Sequence, residues 1–98
     1  MIVPGLEPLR AAIDSIDQQI LRLLTQRIEL VLQVGEAKRQ HAAPVYDPER
    51  ERSVLARLAA AAEPPLQPDR ARRIFERIID ECRSQEQQHV SVAPKGKT

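Results

Sequence analysis

The chain has 98 residues, 42% of them hydrophobic but only 2% aromatic, and a formal net charge of +1. That length allows one domain with an aliphatic core, and the near-neutral charge supplies no field for nucleic acid or an anionic membrane. With Tyr46 and Phe75 as the only aromatics and Cys82 as the only cysteine, base-stacking platforms, an internal disulfide and a cysteine-built metal site are excluded.

Prolines 4, 8, 44, 48, 64, 65, 68 and 94 leave three proline-free runs, 9–43, 49–63 and 69–93. Each run is rich in Ala, Leu, Glu, Gln and Arg, the better helix formers, and none alternates with the period of a strand. An all-α chain of a long, a short and a medium helix is predicted. In the first run Leu6, Ile13, Ile20, Arg27 and Val34 lie seven apart, as do Leu9, Ile16, Leu23, Leu30 and Ala37. Together they make the alternating three-and-four spacing of a packed helical seam. A helix from about residue 6 to 41 would be roughly 50 Å long, against a radius of gyration near 13 Å, roughly, for a compact chain of this size. Two shorter helices cannot cover it, so an intertwined homodimer is expected.

Asp47 and Pro48 suit the cap and first position of the second helix, whose apolar face is Val54, Leu55, Leu58, Ala61 and Ala62. Glu63-Pro64-Pro65 ends it. The third helix is predicted to start near Pro68-Asp69 and to bury Ala71, Ile74, Phe75, Ile78, Ile79 and Cys82. Residues 1–90 are read as the helical domain and 91–98 as a disordered tail. No apolar run approaches the roughly 20 residues that span a bilayer. The first residues lack the features of a secretory leader, so a cytoplasmic location is expected.

Several polar residues fall in unexpected places. Arg27 occupies a seam position between Ile20, Leu23, Leu30 and Val34, where a guanidinium is costly unless paired. It specifies register, or pairs internally with Glu51 or Asp47, or forms an anion site. Lys38 lies eleven residues on, back on the same helix face, about 16 Å along the axis. An arginine and a lysine facing one hollow suit a small molecule with two negative groups. Gly35 beside that stripe allows either close helix packing or room for a ligand. Arg10 sits about a quarter turn from Arg27, a solvated arginine or one that reaches a partner's pocket. Glu51 shares the apolar face of the second helix, with Arg50 at its border. It could meet a ligand hydroxyl or hold Arg27. Glu86 follows the apolar stripe of the third helix and either points into the same cavity or ends in solvent. Cys82 reads as a buried small hydrophobe, with no histidine placed to activate it. His41, His89 and the acids show no metal-ligand spacing.

The ordered set Arg10, Arg27, Val34-Gly35-Glu36-Ala37-Lys38 and Asp47-Pro48-Glu49-Arg50-Glu51 resembles the all-helical chorismate mutase family, over residues 6–88. The resemblance implies an intertwined dimer with two equivalent sites, each built mainly from one chain. Arg27 and the partner's Arg10 would hold the two carboxylates of chorismate. Lys38 would contact the ether oxygen and a carboxylate. Glu51 and the Asp47 backbone would fix the ring hydroxyl, with Arg50 supporting the site electrostatically. Cys82 stands where the family often has serine, and Glu86 where a glutamine commonly bonds the ether oxygen. The [3,3] rearrangement of chorismate to prephenate needs no cofactor, metal, nucleophile or base. It needs a held conformer and stabilisation of charge on the breaking C–O bond. A carboxylate at Glu86 would repel that charge unless it were protonated and donating. The resemblance leaves open an isochorismate pyruvate-lyase or a 4-amino-4-deoxychorismate mutase, and a catalytically silent helical dimer module.

Overall fold

The computed structural model describes residues 3–92. They form α1 (Leu6–Gln40), α2 (Pro48–Ala61) and α3 (Pro68–Val92), the expected long, short and medium helices. No helix among the described residues is long and apolar enough to cross a membrane. The chain divides into two compact units, Met1–Leu30 and Val31–Thr98.

In the first unit the described residues are the entry turn and the first part of α1. Leu6 N–H bonds the carbonyl of Val3 at 3.2 Å, and Gly5 supplies the left-handed turn at φ 80° that glycine adopts without steric cost. Seam residues Leu9, Ile13, Ile16, Ile20 and Leu23 are between 46% and 64% exposed. These side chains form an apolar row left uncovered among the described residues.

In the second unit α2 packs on α3. Asp47 caps α2, its Oδ1 accepting the Arg50 N–H at 3.1 Å, and Pro48 opens the first turn. Both agree with the expected start chemistry. Val54, Ala71, Ile79 and Cys82 form the buried core. They form a thin layer between α2 and α3. Three sequence expectations need correction. Ile74 is 52% exposed, because it lies at the edge of the Ala71–Ile78–Ile79–Cys82 stripe rather than on it. Ala62 is the extended C-cap of α2 and not its last helical residue. Ser91 and Val92 continue α3, so the expected tail does not begin at 91. Its remainder, 93–98, lies outside the described residues.

The end of α1 carries a motif that the sequence did not announce. Ala43 N–H bonds Lys38 O at 2.8 Å and Ala42 N–H bonds Arg39 O at 3.2 Å. That is the double closure of a helix C-terminus that usually uses glycine in the left-handed position. Here Ala42 takes that position, at φ 55°. The closure turns the chain back along the last turn of α1, which brings Val45 to Lys38.

Candidate active site

Two carboxylates of the second unit, Glu86 and Glu51, each carry an ion pair. Glu86 is 6% exposed, so it is not a solvated helix end. Its Oε2 lies 3.3 Å from Lys38 Nζ yet is buried without a hydrogen bond among the described residues. The two facts are compatible: the ammonium sits at ion-pair distance but out of line for a hydrogen bond. Its well-directed bond goes to the Val45 carbonyl at 2.7 Å. Lys38 is thus held by a backbone oxygen from the α1–α2 connection and by a carboxylate from α3. A buried acceptor without a donor is costly.

Gly35 explains how Glu86 gets there. A Cβ on residue 35 would lie 2.8 Å from Glu86 Cγ and 3.2 Å from Val90 Cγ2. Of the two sequence readings for Gly35, close packing is the one observed. The packed group is the buried acid itself.

Glu51 is half-buried and gripped through both oxygens by Arg83, Nε to Oε2 at 2.7 Å and Nη2 to Oε1 at 3.1 Å. Arg83 Nη2 also donates to Asp80 Oδ1 at 2.7 Å, and the guanidinium lies over the Tyr46 ring, 5.1 Å from its centroid. The bond to Glu51 is the main reason that the Arg83 guanidinium is held well above the usual arginine range; burial opposes it and Asp80 adds to it. A fork-on-fork pair of this kind fixes both planes. Arg83 was missed in the sequence because its partner is 32 residues away. The usable signal was its spacing of four from Ile79 and three from Glu86, on the rim of the buried stripe. The Val45 carbonyl is backbone and has no side-chain signature.

The remaining expected residues are accounted for in turn. Cys82 is buried beside Glu86's turn of α3, as a small hydrophobe would be. Asp47 spends one carboxylate oxygen on the cap. Arg50 is exposed in the first turn of α2. In the first unit, Arg27 is half-buried, and Arg10 is exposed and paired with Glu7 at 3.3 Å. A cleft of about 300 Å³ in the second unit is lined by Glu51, Leu55, Glu76, Ile79 and Asp80.

A family model described as chorismate mutase type II matches residues 9–87. The chain is 39% identical over 85 residues to the T-protein of Haemophilus influenzae, covering 86% of this chain and 22% of that protein. It therefore spans about a fifth of that relative's length. Among solved structures, form II of the chorismate mutase from Thermus thermophilus superposes with a TM-score of 0.81 at 33% identity, over 84% of this chain and 93% of that one. A chorismate mutase from Helicobacter pylori, solved in complex with prephenate, gives 0.83 at 27% identity, over 91% and 97%.

Proposed function

The chain belongs to the chorismate mutase type II family, and we propose that it catalyses the rearrangement of chorismate to prephenate. The observation that carries this reading is the Lys38 ammonium fixed 3.3 Å from a buried Glu86 oxygen that lacks a donor. The reaction breaks one C–O bond and forms one C–C bond within a single molecule. No group leaves and no external proton is required. The enzyme's tasks are to hold the folded conformer and to stabilise negative charge growing on the ether oxygen.

Lys38 is suited to the second task. Its ammonium is anchored by Val45, so it need not reorganise as charge develops. Glu86 is assigned to the same ether oxygen, on the strength of the family resemblance. An ionised Glu86 and the developing oxyanion would compete for one ammonium. Arg27 and Arg10 of the partner subunit are assigned to the two carboxylates, on the strength of the family resemblance. Glu51 and the Asp47 backbone are assigned to the ring hydroxyl, with Arg50 adding positive potential at the site's edge and Cys82 lining it. The homodimer is part of this reading, supported by the exposed seam of α1. A cytoplasmic location belongs to it as well.

The test is direct. Purified protein is incubated separately with chorismate, isochorismate and 4-amino-4-deoxychorismate, and the products are identified. Prephenate from chorismate as the fastest conversion supports the proposal. Pyruvate release from isochorismate, or faster turnover of the amino analogue, would replace it.

A further inference from the structure

We propose that Arg83 is a positioning residue that sets which ring substituent Glu51 accepts, lowering the advantage of an ammonium over a neutral hydroxyl. The inference rests on the assignment of Glu51 to the ring hydroxyl. It goes further by giving that assignment a source of orientation and of selectivity.

The orientation argument is geometric. A carboxylate offers about four lone-pair directions, and Arg83 occupies one on each oxygen. The Glu51 plane is therefore fixed, and only the outward lone pairs remain for a ligand. Arg83 is in turn held by Asp80 at 2.7 Å and by the face of Tyr46. Glu51 is on α2, Asp80 and Arg83 on α3, and Tyr46 on the connection before α2. One guanidinium thus ties three segments to one acceptor.

The selectivity argument is electrostatic. Besides Glu51, the acids Glu76 and Asp80 line the adjoining cleft. Arg83 is the cation in contact with Glu51 and Asp80. Both partners of the Glu51–Arg83 pair are mostly shielded, at 21% and 26% side-chain exposure, so solvent screens this charge less than it would a surface pair. A substrate whose ring carries a protonated amine would meet the guanidinium's charge just behind the carboxylate. A hydroxyl has no such penalty. One guanidinium offsets only part of the charge of Glu51, Glu76 and Asp80, and removing it leaves all three uncompensated and shifts preference further toward the amine.

The test measures steady-state kinetics of wild type, Arg83→Met and Arg83→Lys with chorismate and with 4-amino-4-deoxychorismate. Arg83→Met is expected to raise KM for chorismate by about tenfold, the worth of one well-placed charged hydrogen bond. Its loss should be smaller with the amino analogue, so the ratio of the two kcat/KM values moves toward the amine by about tenfold. Arg83→Lys keeps the charge but loses the fork. It should raise KM for chorismate while leaving that ratio near wild type. Equal losses on both substrates in Arg83→Met would mean that Arg83 only supports the fold, and would overturn the proposal. If Arg83→Met does not fold, an unchanged KM in Arg83→Lys overturns it instead. Failure of the underlying assignment looks different: wild type would convert neither compound, or Glu51→Gln would leave KM for chorismate unchanged.

Discussion

Lys38 and Glu86 come from α1 and α3 and meet with Nζ 3.3 Å from Oε2, while the ammonium's short bond, 2.7 Å, goes to the carbonyl of Val45. The cation therefore has a directed backbone anchor in addition to the acid beside it. The backbone bond remains to hold the lysine when the acid is replaced.

Glu86→Gln tests the acid's part. The glutamine keeps the acid's shape and offers an N–H donor in place of a carboxylate that competes for the Lys38 ammonium, so kcat/KM for chorismate should rise. The measurement is kcat/KM of both proteins at one pH. An unchanged kcat/KM would remove Glu86 from the ether oxygen.

Gly35→Ala sets two effects against each other. Helix propensity alone favours alanine by about 1 kcal/mol. The new Cβ, 2.8 Å from Glu86 Cγ, has nowhere to go without shifting α3 or the acid, an overpacking cost of about 1–3 kcal/mol. The variant should unfold at or below the wild-type temperature and lose kcat, because the displaced group is Glu86. A higher unfolding temperature with unchanged kcat would show that Glu86 has room to yield.

Ala42→Gly should act the other way. Ala42 sits at φ 55°, where an L side chain costs about 1–2 kcal/mol. Glycine removes that strain but loses more chain entropy on folding, which returns about 0.5–1 kcal/mol. A net gain raising the unfolding temperature by about 4 °C, read by circular dichroism, is expected. A lower temperature would show that the alanine methyl contributes packing that outweighs its strain.

The long helix, its seam, the capped start of α2 and most of the α3 face were legible because apolar spacing and proline positions report directly on helices. Lys38 and Glu86 were also legible, as polar residues that continued apolar stripes. What was not legible depended on tertiary pairing or backbone alone. Arg83 and Glu51 sit in different helices, the Val45 carbonyl carries no side-chain signal, and Ala42 performs a closure usually marked by glycine. Ile74 misled because a neighbour of a buried stripe has the same composition as the stripe.

The α1 seam carries the oligomeric prediction. Ile16 and Leu23 are 53% and 63% exposed, and in the proposed homodimer they are covered by a second copy. Ile16→Lys with Leu23→Lys should convert a dimer to a monomer in sedimentation velocity and abolish turnover, since Arg10 would no longer reach the other subunit's site. A monomeric wild type with full activity would contradict this.

A fixed Lys38 ammonium is proposed to stabilise charge on the breaking C–O bond. The most direct test is the rate of prephenate formation from chorismate by wild type and Lys38→Ala, with circular dichroism confirming that both are folded. The account predicts conversion by wild type and a loss in kcat/KM of at least about 100-fold in the variant, or about 3 kcal/mol of transition-state stabilisation. A folded Lys38→Ala that turns over chorismate near the wild-type rate would contradict it.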